Sequence, residues 1–289
     1  MAATFACIAG GPLCRLLESA ALDAHRLEPS ETPFGRSEVL FAVEQPAPGL
    51  YLVPRQLPGQ GRIGPASFNY RATLYRLKDL GVRYVLSWTG ARTITRQLAV
   101  GQTVLLDDLI DLTHLRATSF FERRGLGMLR QFPVFCPTLR AVVEGVLAAM
   151  KLPYYSGGTA AVTEGPRLET PAEIRLLGSH GADLVTHQFV PEVFLAKELQ
   201  ICLAGAAYVV DFAETGSRYR PFIPGELFGG LTHSSQADRL EVLSRALPEI
   251  LCKVAARLVT APKGCQCEQP MAAHIQENGL PEDWHHWFD

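Results

Sequence analysis

The chain has 289 residues, 47% of them hydrophobic and 19% charged, and a formal net charge of −2 at pH 7. That near-neutral balance gives no electrostatic footprint for nucleic acid or an anionic membrane, and the length suits one large α/β domain or two small ones. No apolar run reaches bilayer-spanning length, residues 201–210 being about the longest. The N-terminal MAATFACIAGG lacks the basic segment of a signal peptide. Of seven cysteines, five are scattered at Cys7, Cys14, Cys136, Cys202 and Cys252, which suggests buried thiols and not a secreted disulfide framework. A cytoplasmic protein with no nucleic-acid or membrane partner is expected.

In chain order, residues 5–9 read as a buried strand that turns at Gly10-Gly11 into a helix with Pro12 in its first turn, continuing over 13–22. A strand, a glycine pair and a helix N-terminus can receive an anion at Gly11, although a tight turn alone explains the same pattern. Strands follow at 39–43 and 50–53 around Gln45-Pro46-Ala47-Pro48-Gly49, then a Gly/Pro-rich loop over 58–65. An amphipathic helix over 70–80 closes at Gly81 and leads to a strand at 82–88. Residues 103–106 form a further strand, and Asp107-Asp108-Leu109-Ile110-Asp111 reads as a solvated loop, since a hard cation needs more oxygens than this run converges. A helix over 139–150 and a strand over 159–162 come next.

Residues 163–211 hold a turn at Glu164-Gly165-Pro166, a helix from about Pro171, a strand at 183–186, a helix at 191–199 and an apolar strand ending at Asp211. Ligands of an α/β sheet sit outside the carboxyl ends of its strands, so Glu169, Thr186, His187, Gln188 and Asp211 are the first candidates for chemistry. Residues 212–230 suggest a substrate lid. Helix returns over 235–258, with Leu240, Val242, Leu243, Leu247, Ile250, Leu251 and Val254 as its apolar stripe and Pro248 dividing it in two. One α/β domain is therefore expected over 1–262, with a tail over 263–289. The tail carries Cys265-Gln266-Cys267 and Trp284-His285-His286-Trp287-Phe288-Asp289. Two thiols and two histidines in that order lack the usual zinc spacing, so no metal is expected, and the aromatics should pack on a neighbouring surface, of this or another subunit.

Within 163–211, Glu164-Gly165-Pro166-Arg167, Glu169-Thr170-Pro171-Ala172-Glu173, Gly181-Ala182-Asp183, and Val190-Pro191-Glu192-Val193 with Ala196-Lys197-Glu198 together resemble the trimeric purine nucleoside phosphorylases and methylthioadenosine phosphorylases. Looser similarity runs through Asn69-Tyr70, Leu77-Lys78-Asp79, Gly101, Asp107 and Ile110-Asp111. The resemblance implies a single α/β domain with a mixed central sheet flanked by helices, a homotrimer, and cleavage of the purine–ribose N-glycosidic bond. It implies no cofactor, with phosphate as a possible co-substrate. Some archaeal methylthioadenosine phosphorylases also carry a C-terminal CxC, which would give that pair a disulfide or redox role.

Cleavage passes through an oxocarbenium-like transition state, so the base must be protonated near N7, the ribose held, and an anionic nucleophile placed under the anomeric carbon. By resemblance, Asp211 is the catalytic acid, Asp211, Glu169 and Gly90 bind the purine, and His187 stands where the family places a ribose-contacting Met. An Asp can donate only when protonated, a form that burial favours. Asp at 211 points to an adenine-type base, but Ala213 replaces the second Asp usual there, and Glu169 matches the purine-binding Glu of 6-oxopurine phosphorylases. The bland alternatives are a helix-N-terminal charge for Glu169, a capping role for Asp211 and a core histidine at 187. For the anion, the family's donors correspond to Pro12, Gln56-Leu57, Gly90 and Gln188, which are poor in hydroxyls and cations. Gly11, Thr89, Arg92 and Gln188 are the candidate anion ligands, with Arg55 and Arg62 as other cations that could rebuild the site. A phosphate-independent hydrolase and a non-catalytic nucleoside-binding protein are the alternatives.

Overall fold

The computed structural model describes residues 4–57, 59, 64–122, 124–214, 223–225 and 234–288. The first part of the chain forms β1 (Phe5–Ala9), α1 (Gly11–Glu18), β2 (Asp23–Leu27), β3 (Glu31–Thr32), β4 (Gly35–Arg36), β5 (Leu40–Gln45), β6 (Leu50–Pro54), α2 (Tyr70–Asp79), β7 (Tyr84–Thr93) and β8 (Thr103–Leu112). The second part forms α3 (Pro137–Ala149), β9 (Tyr154–Thr163), α4 (Pro171–Ser179), β10 (Leu184–Thr186), α5 (Glu192–Glu198), β11 (Cys202–Phe212), α6 (Ser234–Leu258) and α7 (Ala272–Asn278). Nine strands make one mixed sheet in the order β10-β9-β8-β11-β7-β1-β6-β5-β2, and β10 also pairs antiparallel with β7, so part of the sheet closes on itself. This is the single mixed α/β sheet expected.

Residues along β1 alternate between two cores, as side chains on successive strand residues must. Ala6 and Ile8 join a cluster with Leu74 and Leu77 of α2 and Val193 and Leu195 of α5. Phe5, Cys7 and Ala9 join another with Leu13 of α1, Leu139 and Val143 of α3, and Leu247 and Ile250 of α6. Helices thus cover both faces, which frees the sheet edge at the strand ends for a site.

Several sequence expectations change. β7 does not stop at Trp88 but runs to Thr93, because β11 and β10 both bond its polar second half. β8 likewise continues through the three aspartates, paired with β9 as far as Leu112, so Asp107, Asp108 and Asp111 are exposed strand residues and not a loop. α6 is one helix through Pro248, whose lost hydrogen bond is outweighed by a buried stripe continuing on both sides of it, Leu243 and Leu247 before and Ile250, Leu251 and Val254 after. Val242 is outside that stripe and 60% exposed. α1 is shorter than expected, ending at Glu18, and the unexpected β2 forms the sheet edge. The lid expected over 212–230 lies largely outside the described residues, as does Arg62.

The C-terminal aromatics pack on their own chain. Phe288 meets Phe34, Tyr75, Phe120 and Phe121 at ring separations of 5.2 to 5.7 Å, and Trp287 and Met271 are buried in the α2/α5 cluster. Among the described residues no helix is long and apolar enough to cross a membrane.

Glu198, at the end of α5, is 3% exposed and accepts a hydrogen bond from Phe120 N at 2.7 Å. Burial pushes its carboxyl up to about 7 from an ordinary 4.5. Because the folded value lies above the unfolded one, the group supports the fold fully below pH of about 4.5, and that support is lost as pH rises towards 7. Glu198→Gln keeps an acceptor for Phe120 and removes the charge. It is expected to raise stability at pH 8 by on the order of 3 kcal/mol at most and to change little at pH 4. Urea titrations at the two pH values check this.

Candidate active site

A cavity of about 810 Å³ opens where β7, β10 and β11 end. Its walls are Trp88, Thr89, Gly90 and Arg92 from β7, Tyr208, Val210 and Asp211 from β11, Glu169 before α4, His187 and Gln188 after β10, and Pro12, Arg15, Leu243 and Ser244 from α1 and α6. Eight of the nine residues expected at the site line it; Gly11 does not, and its neighbour Pro12 does. The described lining does not include Gln56, Leu57 or Arg55.

The backbone explains this convergence. β11 pairs in parallel with β7 up to Val209↔Ala91, then skips Val210 so that Asp211 stands opposite Arg92. Such a bulge re-aims the side chains beyond it. Without it Val210 would face Arg92. Gly90 is required for close approach: a Cβ there would stand 2.9 Å from Val210 Cγ1 and 3.3 Å from the Tyr208 ring. Trp88 and Tyr208 stack at 6.2 Å with 27° between planes, giving an apolar wall, and burial pushes the Tyr208 phenol up to about 12, so it stays neutral.

Glu169 is the polar centre of the cavity. It is 5% exposed, pairs with Arg92, and accepts from Thr163 Oγ1 at 2.5 Å, with His187 Nε2 at 3.2 Å. Burial is the largest influence on its carboxyl and pushes it up, but the hydrogen bonds from His187 and Thr163 and the Arg92 charge together outweigh it and hold it below its ordinary value. Its role is not to cap α4, because Thr170 and Glu173 form that capping box. Arg92, expected to meet an anion, faces Glu169 instead. Arg55 is committed to a buried pair with Glu192, with Ser87 Oγ 2.9 Å from its Nη2. The lining cation that forms no ion pair among the described residues is Arg15, whose Nε donates to Ser244 Oγ at 3.1 Å.

Asp211 is 3% exposed, and its Oδ1 accepts from Phe212 N at 2.7 Å. Thr186 Oγ1 donates to Gly90 O at 3.1 Å, tying β10 to β7, and Gln188 Oε1 lies 3.2 Å from the Tyr70 hydroxyl.

The sequence reading missed Arg116. Its guanidinium donates to His187 O and Val190 O, each at 2.7 Å, to Glu164 O at 2.9 Å and Thr163 O at 3.3 Å, while Nε meets Glu164 Oε1 at 3.0 Å. One buried side chain thereby fixes both loops that carry Glu169 and His187. Nothing local in His114-Leu115-Arg116 marks it, since its partners come from 163–190.

The family model described as the Phosphorylase superfamily matches residues 6–247. The chain belongs to that superfamily. A probable 6-oxopurine nucleoside phosphorylase of Dictyoglomus turgidum is 32% identical, over 86% of this chain and 90% of its own. An S-methyl-5'-thioadenosine phosphorylase of Mycolicibacterium smegmatis is 37% identical, over 57% of this chain and 63% of its own. Among solved structures, methylthioadenosine phosphorylase from Schistosoma mansoni in complex with adenine superposes with a TM-score of 0.78 at 22% identity, covering 94% of this chain and 98% of that one, which shows the shared fold. Of the residues between 163 and 211 that carry the resemblance, Pro166 and Glu169 line the cavity, and Glu164 and Val190 are held by Arg116 beside it.

Gly165 backs His187. It has a φ of +65°, and a Cβ there would stand 2.7 Å from His187 Nδ1. Gly165→Ala should displace the imidazole and lower kcat/KM by about tenfold or more, the scale on which small misplacements act. Gly181→Ala, at φ +88° with nothing within 4 Å, carries the backbone strain without the clash and should keep activity. Steady-state kinetics of the two variants separate strain from displacement.

Proposed function

We propose that this protein is a purine nucleoside phosphorylase-like pentosyltransferase that prefers a 6-oxopurine nucleoside. The observation that carries the preference is Glu169, held as a carboxylate by Arg92, Thr163 and His187 at the cavity wall. An ionised carboxylate only accepts hydrogen bonds, so it suits the N1–H of a 6-oxopurine and meets the N1 lone pair of adenine unfavourably. The apolar wall of Trp88 and Tyr208 suits a flat base, and Gly90 lets Val210 and Tyr208 close up against β7 to complete that wall. Asp211, in its protonated form, donates to N7 as the bond to ribose breaks, and His187, its Nε2 engaged with Glu169, is the residue that meets the ribose.

The nucleophile we assign is phosphate, held by Arg15 with Thr89, Gln188 and Ser244, four polar lining residues not engaged with Glu169. Arg15 supplies the cation that Pro12 and Leu57 cannot. The working assembly is a homotrimer, as the family resemblance implies. The substrate assignment is tested by the ratio of kcat/KM for inosine to that for methylthioadenosine, expected above one. A ratio below one would move the carrying role from Glu169 to Asp211.

A further inference from the structure

Four of the seven cysteines come together away from the cavity. Cys136 sits at the N-cap of α3, Cys202 begins β11, and Cys265 and Cys267 lie on the segment after α6. Their four Sγ atoms all lie within 4.8 Å of one another, Cys202 and Cys265 being 3.5 Å apart, and all four are free thiols. Tetrahedral zinc with Zn–S bonds of about 2.3 Å places its sulfurs about 3.8 Å apart. The cluster needs only small rotations to reach that geometry.

We propose that Cys136, Cys202, Cys265 and Cys267 form a structural zinc site that fastens the C-terminal segment to the body of the fold. Binding exchanges the thiol protons for Zn²⁺, with those protons released to solvent, so no oxidant is needed. Four thiolates and no open position make a closed, structural site and not a catalytic one. The surroundings suit thiolates. Leu139 N donates to Cys136 Sγ at 3.4 Å from the first turn of α3, and Lys197 and Arg130 line the same cavity as Cys136, Cys265 and Cys267. The segment is placed independently of the sulfurs by Gly264 N donating to Thr138 Oγ1 at 3.2 Å and by Arg83 meeting Glu268 at 2.6 Å.

The site departs from the expectation of no metal because two of the ligands are distant in sequence. In sequence the CxC pair shares its tail with two histidines, yet His285 is engaged with Asp79 and Asp283 at 2.8 and 2.6 Å. Cys136 and Cys202 replace them.

The test is metal analysis of the full chain purified under reducing conditions from zinc-supplemented cells, beside the double variant Cys265→Ser/Cys267→Ser. One zinc per chain is expected in the wild type and none in the variant. Chelation should lower the wild-type Tm, zinc should restore it, and neither should move the variant. Should the variant not fold, the wild type alone decides: cobalt added to stripped protein should give intense sulfur-to-cobalt charge-transfer absorption and the visible bands of a tetrahedral site. Stripped protein that binds neither zinc nor cobalt, or purified protein whose four cysteines are paired in disulfides by mass spectrometry, would overturn the proposal.

Discussion

Asp211→Ala is expected to lower kcat/KM for inosine by about 10²–10⁴, the range over which a positioned general acid acts, while the Tm stays close to wild type. The expectation rests on place and chemistry together. The bulge at Val210 puts Asp211 opposite Arg92, on the wall that also carries Glu169, and the side chain is 3% exposed. Asp211→Asn keeps an acceptor for Phe212 N and gains N–H donors for N7, so it should bind the base and lose less than the alanine variant. Kinetics of both variants check this. Turnover by Asp211→Ala equal to wild type would remove Asp211 from the chemistry.

Arg116→Met should be the most damaging single change to stability, about 3–5 kcal/mol, as expected when one partner of a buried ion pair is deleted. The variant leaves Glu164 without its guanidinium and removes the donor to four backbone carbonyls between Thr163 and Val190. The loops that carry Glu169 and His187 then lose their common support, so activity should fall even where the protein stays folded. Arg116→Lys keeps the charge but not the planar fork, and should recover only a small part of the loss. The urea midpoint and the residual kcat/KM measure the two effects. A stability loss under about 1 kcal/mol, the net value of one ordinary hydrogen bond, would show that water replaces the guanidinium.

The legible parts of this molecule are those whose information is local. The apolar runs over residues 5–9 and up to Asp211 give β1 and β11, and Thr170-Pro171-Ala172-Glu173 opens α4 with its own capping box. Glu169, His187 and Asp211 could be named because each precedes, follows or ends a locally legible element. What sequence could not show depends on partners far along the chain. The polar half of β7 is strand only because β10 and β11 bond it, and the Arg92–Glu169 pair joins residues 77 apart. Arg116 and the four thiols belong to the same class: their chemistry exists only after the fold has assembled it.

Phosphorolysis in the cavity of Glu169 and Asp211 leaves two products that an assay can count. Release of free hypoxanthine from inosine, followed with and without added phosphate, tests it most directly. Release is expected to require phosphate, to form ribose 1-phosphate in equal amount, and to be lost in Asp211→Ala. Release that proceeds equally without phosphate, yielding free ribose, would contradict it.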